Sequence, residues 1–130
     1  RGPKFPAGAV RTQPVSNVDL APTLAQLAKV RPALAFDGRS LLPVARDPGF
    51  RASRELLFES EVYGGSAGIR SADGRWVLLD DNAQGLELYD LRNDPFQLES
   101  LHADPAHAAI RDQLAARLEQ LRDCAGSACP

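Results

Sequence analysis

The stretch IRSADGRWVLLDDNAQGLELYDL, residues 69–91, decides the fold because it places two turns between three apolar runs. The first turn contains Asp73-Gly74, a dipeptide that tolerates the positive φ angles of a tight hairpin. The last run, residues 86–91, alternates apolar and polar side chains, as a strand with one buried face does. Together with a short strand at 55–59, these runs predict a small antiparallel sheet of four strands.

A C-terminal helix is predicted to cover one face of this sheet. Asp104-Pro105 supplies a capping side chain and a proline at the first helical position. Apolar residues then recur at helical spacing, in a stripe formed by Ile110, Leu114, Leu118 and Leu121. The partner face of the sheet is expected to carry Trp76, Leu78, Leu86 and Leu88. The predicted fold class is therefore α+β.

The N-terminal part predicts a strand-helix segment ahead of the sheet. Residues 1–14 predict a loop that leads into a short strand around 11–15. A helix should then begin at or just before Asp19 and end at Pro32. Its apolar face would consist of Leu20, Leu24, Leu27 and Ala28.

Composition excludes several function classes. Of the 130 residues, 44% are hydrophobic and 25% are charged, which is typical of a globular protein. The net charge of −2 gives no electrostatic footprint for nucleic acid, and no apolar run is long enough for a membrane span. The chain opens at Arg1 without an initiator Met, so we expect that processing or truncation made this N-terminus.

Cys124 and Cys129 are the two cysteines of the chain, and a four-residue spacer with one glycine separates them. The spacing permits a local disulfide, which we favour over two free thiols. A metal site is the weakest alternative, because about four ligands are needed and none lies nearby in sequence. A disulfide would imply an exported protein, periplasmic or extracellular.

Three further clusters could carry chemistry, and each has a simpler interpretation. His102 and His107 suggest a metal or acid–base pair, but side chains five positions apart across a helix start should diverge. The run at 80–82, Asp-Asp-Asn, suggests a cation site, but these residues also favour a turn. The glycine-rich loop around 60–68 suggests a phosphate cradle, but it leads into a strand, so we predict a flexible loop instead. Tyr63 could present its hydroxyl from that loop.

Several phrases in order resemble the C-terminal part of sulfatases, arylsulfatase-like members of the alkaline phosphatase superfamily. The N-terminal residues RGP and FPAG resemble the loop after the core strand of that family, and VSNVDLAPTL at 15–24 resembles a helix start. DGRSLLP at 37–43 and ELYDLRNDP at 87–95 are similar to a crossing segment and a strand of that family. In the phrase that follows, Ser100 stands where the family often has Asn.

The resemblance implies that this chain contributes parts of two domains to a larger parent enzyme. Residues 1–35 would end the catalytic α/β domain, and 36–130 would form a C-terminal subdomain that shapes the substrate pocket. The parent would hydrolyse sulfate esters with a formylglycine residue and a divalent cation, usually calcium. All of those motifs precede the matching region, so no catalytic or metal-binding residue is assigned to this chain.

The same resemblance indicates where substrate and partners would lie. The best candidate for a loop at the pocket rim contains Glu61, Tyr63 and Ser66. The expected partner is the remainder of the parent sulfatase, and without it a homodimer could form through the N-terminal segment, whose apolar face is left uncovered. Two alternatives stay open: a free-standing structural or ligand-binding module, and a fragment of a related phosphodiesterase or phosphonate hydrolase.

Overall fold

The computed structural model describes residue 2 and residues 5–51, 53–60, 65–82 and 85–129. This part of the chain divides into two compact units. The N-terminal unit comprises 1–53 with 125–130, and the sheet unit comprises 54–124. The helices are α1 (Leu20–Ala28), α2 (Leu42–Arg46) and α3 (Ala108–Leu121), and the strands are β1 (Leu56–Ser60), β2 (Ser66–Arg70), β3 (Trp76–Asp81) and β4 (Gly85–Asp90).

The sheet is antiparallel throughout, with its four strands in chain order. Ile69 pairs with Leu78, and Leu78 pairs with Leu88, so the apolar positions of three strands share one row. The predicted hairpin turn is confirmed: Gly74 has a φ of +73° and donates its N–H to the Ser71 carbonyl at 2.8 Å. Glycine adopts this angle without the steric cost that a Cβ would impose.

The core of the sheet unit lies between the sheet and α3. Its fully buried members include Ile69, Leu78, Leu88, Leu118 and Leu121. Ahead of α3, the chain makes a short 3₁₀ turn over Pro105–His107, and the Asp104 carboxylate accepts the Ala106 N–H at 2.9 Å. The α+β fold, the capped helix and its apolar stripe are therefore confirmed.

In the N-terminal unit, α1 begins close to the predicted position. A 3₁₀ turn at Asn17–Asp19 precedes it, and the Ser16 N–H donates to the Asp19 carboxylate at 2.9 Å. The helix ends at Ala28 and not at Pro32 as predicted, because the next residue, Lys29, adopts a left-handed φ of +57°. Pro32 follows three residues later, where a proline cannot interrupt the helix.

The structure corrects three further predictions. Residues 11–15 form no strand, because Arg11 and Gln13 instead bind the carbonyls of α2 and the segment after it. The loop after β1 is shorter than predicted, since Ser66 already pairs with Ser60 in the sheet. Tyr89 is buried although it lies on the sheet face predicted to be polar. The division of the parent at residue 35 stays a prediction, and the boundary between the two units of this chain lies at 53/54.

Candidate functional site

Two of the quoted phrases hold each other in place within the N-terminal unit. The fully buried Asp19 carboxylate accepts the Arg39 N–H at 2.8 Å, and the Thr23 hydroxyl accepts the Leu41 N–H at 2.8 Å. Gly38 passes so close that a Cβ there would lie 2.2 Å from the Val18 carbonyl oxygen. These residues therefore fasten the crossing segment to the start of α1, which is a structural role.

In the segment ELYDLRNDP, residues 87–95, Asp90 is the last residue of β4 and anchors the end of that strand. Its buried carboxylate receives two hydrogen bonds from Arg75, at 2.9 and 2.6 Å, and one from Asn93 at 2.9 Å. The Arg75 hydrogen bonds hold the pKa of Asp90 below its ordinary value of 3.8. The guanidinium also stacks 4.5 Å from the Trp76 ring centroid, which adds a cation–π contact.

The segment after β4 continues this arrangement. The Asp94 carboxylate accepts the backbone N–H groups of Leu98 and Glu99 at 2.7 and 3.0 Å. The Ser100 hydroxyl accepts the Leu88 N–H at 3.1 Å, and the Leu101 N–H donates to the Leu88 carbonyl at 2.7 Å. Ser100 thus provides a hydrogen-bond acceptor for β4.

The histidines and the acidic turn also have structural partners. His107 contacts Asp104 at 2.9 Å and packs 5.7 Å from the Trp76 ring, whereas His102 contacts Ser100 at 3.2 Å. Asp80 pairs with Arg122, the residue that follows α3. Within 5–51, 53–60, 65–82 and 85–129, no group of three His, Cys, Asp or Glu side chains is placed to hold a metal ion.

Both cysteines are disulfide-bonded, and since the chain has two, they pair with each other. Neither thiol is therefore available as a precursor of formylglycine. The donor groups described above also do not fit a calcium site, because their carboxylates serve separate hydrogen bonds and ion pairs. No chemical step through either group is assigned to these residues.

The predicted pocket-rim loop is only partly described. Glu61 and Tyr63 lie outside the described residues. Ser66 is the first residue of β2, and its hydroxyl donates to the Asp81 carboxylate at 3.0 Å. Ser66 therefore belongs to the sheet, on the face opposite α3.

That face holds a groove of about 260 Å³, which is the candidate site that sequence reasoning missed. Its wall includes Phe58, Gly68 and Leu79, which are neighbours across three strands, and Glu87 continues the same row on β4. The only advance signal was the alternation of β4, which put Glu87 on the face away from the core. The register that aligns the four strands cannot be read from the sequence, and the structure was needed to group these residues.

Tyr89 orients one carboxylate of this face. Its hydroxyl donates to Glu87 at 2.8 Å, and burial together with that bond raises the pKa of Tyr89 to about 12. The tyrosine is thus a hydrogen-bond donor at neutral pH. With carboxylates, hydroxyls and apolar walls, the groove can bind a small group, and its two hydroxyl–carboxylate hydrogen bonds, Ser66–Asp81 and Tyr89–Glu87, orient the carboxylates.

The fold and the ordered phrases together define the C-terminal part of a sulfatase-like protein. The family described as N-sulphoglucosamine sulphohydrolase, C-terminal, matches residues 2–124, and the chain belongs to this family. A similar curated protein is the uncharacterized sulfatase YidJ of Escherichia coli (strain K12), which is 31% identical over 121 residues. That match covers 85% of this chain and 23% of YidJ.

Solved structures show the same fold. BT4656, solved in complex with its substrate D-glucosamine-2-N,6-O-disulfate, matches with a TM-score of 0.74 at 24% identity, over 89% of this chain and 25% of that one. The phosphonate monoester hydrolase of Agrobacterium radiobacter matches with a TM-score of 0.60 at 27% identity, over 80% of this chain and 24% of that one. The chain thus spans about a quarter of the length of these proteins. None of the described helices is long and apolar enough to cross a membrane.

Proposed function

We propose that this chain serves as the C-terminal subdomain of a sulfate ester hydrolase and has no catalytic group of its own. The family match over residues 2–124 carries the proposal. The uses of Asp19, Asp90 and Asp94 support it, because each carboxylate fastens backbone or an arginine rather than facing a reactive partner. In the parent, the loop with Glu61 and Tyr63 and the neighbouring Ser66 would form part of the wall of the substrate pocket.

The partner in this proposal is the rest of the parent enzyme. The N-terminal unit exposes large apolar side chains at Val10, Val15, Val18, Leu20, Leu24, Val30 and Leu34. Leu20 and Leu24 lie four positions apart and so share one face of α1, which favours burial against another apolar surface. When the chain is alone, a second copy would cover this face, which gives a homodimer through this segment.

The parent would supply the reactive groups. Calcium and a formylglycine residue would both lie in its catalytic part, since the described residues of this chain fit neither. We also propose that the parent is exported, because the Cys124–Cys129 disulfide is stable in oxidising compartments. Intact mass of freshly purified protein, before and after reduction and alkylation, tests the pairing. Two thiols that alkylate without reductant would contradict it.

A phosphonate or phosphate diester hydrolase is the second candidate for the parent. The structural match to the phosphonate monoester hydrolase favours it, at an identity comparable to that of the sulfatase structures. The nucleophile motif would distinguish the two, because a sulfatase carries the Cys- or Ser-containing formylglycine signature. A longer protein that includes this sequence should cleave 4-nitrophenyl sulfate faster than the corresponding phenylphosphonate ester.

The chain itself should not turn over either ester. We expect rates at the buffer blank for 4-nitrophenyl sulfate, with or without calcium, because the family's nucleophile and metal motifs precede the matching region and the described residues hold no group of three metal-ligand side chains. The matched control is the disulfide-free variant with both cysteines changed to Ser, which should give the same blank. Turnover that survives purification and rises in proportion to protein concentration would overturn the non-catalytic assignment.

A further inference from the structure

Gly68 determines how closely Phe58 and Leu79 approach each other in the groove on the sheet face opposite α3. A Cβ on Gly68 would lie 2.6 Å from Leu79 Cδ2 and 3.4 Å from Phe58 Cδ2. Because glycine leaves this space open, Phe58 and Leu79 approach each other over the middle strand and form an apolar wall. Phe58 is nevertheless 40% exposed, so part of its ring remains open to a ligand.

The charged side chains of the groove all have one sign. The carboxylates on the groove's own face are those of Asp81 and Glu87, and its described lining residues include no Lys, Arg or His. Glu59 borders the groove, but it pairs with Ala67, so its side chain lies on the face toward α3. Asp81 and Glu87 accept hydrogen bonds from the neutral hydroxyls of Ser66 and Tyr89. Arg70 lies on the same sheet face, but its guanidinium donates twice to the Gly74 carbonyl at the hairpin turn.

This combination of an aromatic ring, an aliphatic wall and carboxylates is complementary to a cation that carries apolar substituents. The ring attracts the charge through its quadrupole, and the carboxylates attract it directly. A bare metal ion would not benefit from the apolar wall, and an anion would be repelled. We propose that the groove binds a small molecule through an alkylammonium group. The site belongs to this chain and does not depend on the proposed hydrolase parent.

Choline and its neutral isostere 3,3-dimethylbutan-1-ol test the proposal, since they share a shape and differ in charge. Titration of ¹⁵N-labelled chain with choline chloride should shift the amides of Phe58, Gly68 and Leu79 saturably. We expect the neutral isostere to bind roughly tenfold more weakly, the size of one cation–π contact plus a partly screened charge. The affinity for choline should fall as sodium chloride is added.

Two variants distinguish a loss of negative charge in the groove from a loss of folded structure. Glu87→Gln keeps an acceptor for Tyr89 but removes a negative charge, and it should weaken choline binding about three- to tenfold. Glu99→Gln is the matched control, because Glu99 is exposed outside the groove, and it should leave the affinity unchanged. The amide spectrum of each variant shows at once whether it is folded.

Two results would overturn the proposal. Equal shifts with choline and the isostere would mean that the groove recognises apolar surface only. The absence of saturable shifts at these amides up to about 100 mM choline would mean that no ammonium site exists there. Neither result bears on the ester-hydrolysis assays, so the two proposals can fail separately.

Discussion

The sheet unit and the N-terminal unit are held together by different interactions. In the sheet unit, a continuous apolar cluster from β2, β3, β4 and α3 is excluded from water. In the N-terminal unit, Leu42 and Val44 are the buried apolar side chains among the described residues, and two further buried side chains, Asp19 and Thr23, are polar. Half of the large apolar side chains of that unit are exposed instead.

This difference indicates which unit can be stable by itself. Apolar burial supplies most of the favourable free energy of folding, whereas a typical internal hydrogen bond adds only about 1 kcal/mol net. The sheet unit has the core that a small domain needs. In the N-terminal unit, hydrogen bonds from side chains to the backbone fix the course of the chain. The unit has little buried apolar area to stabilise it.

The largest expected effect comes from truncating the core of the sheet unit. Leu118→Ala removes a side chain that is 1% exposed, and it should lower the free energy of unfolding by about 3–4 kcal/mol. Leu24→Ala, in α1, is the matched control: in the monomer Leu24 is 64% exposed, so at protein concentrations too low for the proposed homodimer its truncation should cost less than about 0.5 kcal/mol. Urea unfolding followed by Trp76 fluorescence measures both. Similar losses for the two variants would remove the contrast between the units.

The next effect should be confined to the N-terminal unit. Asp19→Ala leaves the N–H groups of Ser16 and Arg39 without their carboxylate, at a cost of about 2 kcal/mol. Asp47→Ala is the control, because Asp47 is exposed and accepts only a local bond from Gly49. Hydrogen exchange should show lost protection at Arg39 and unchanged protection in β3. If protection falls equally in both units, they unfold as one and the comparison is wrong.

The sequence predicted the parts of the fold that local chemistry determines. The turn at Asp73-Gly74 and the cap at Asp104 each depend on neighbouring residues, and both are confirmed. The stripe on α3 is confirmed for the same reason, since its periodicity lies within one element. The phrases around Asp19 and Gly38 supported the family resemblance, but their mutual contact joins residues about 20 positions apart, which no local pattern contains.

The predictions that were wrong also concern residues whose contacts lie far away in the sequence. The glycines around Ser66 favour a loop, but its pairing with Ser60 and its side-chain hydrogen bond to Asp81 override this propensity. The groove needs the register of four strands, so its members could not be grouped in advance. Arg11 was placed in a strand, whereas its guanidinium binds the carbonyls of Val44 and Ala45 in this fold. The roles of Glu61 and Tyr63 stay predictions.

The smallest expected effect is a pH dependence that belongs to the sheet unit. The pKa values of Asp90 and Asp104 lie below the ordinary 3.8, the first mainly through Arg75 and the second mainly through the Ala106 N–H. A carboxyl group whose pKa is lower in the folded than in the unfolded state stabilises the fold at pH values above its unfolded pKa. This stabilisation is lost as the pH falls from about 4 through the folded value.

Asp90→Asn isolates the contribution of the Arg75–Asp90 pair to this dependence. The variant should be less stable than the unchanged chain at pH 7, and the difference should narrow below pH 4, where Asp90 itself becomes protonated. The narrowing should be modest, because the Arg75 side chain is 32% exposed and water screens the pair. Urea midpoints at pH 7, 5 and 3 measure it. A stability difference that stays constant down to pH 3 would show that Asp90 acts through its hydrogen-bond geometry and not through its charge.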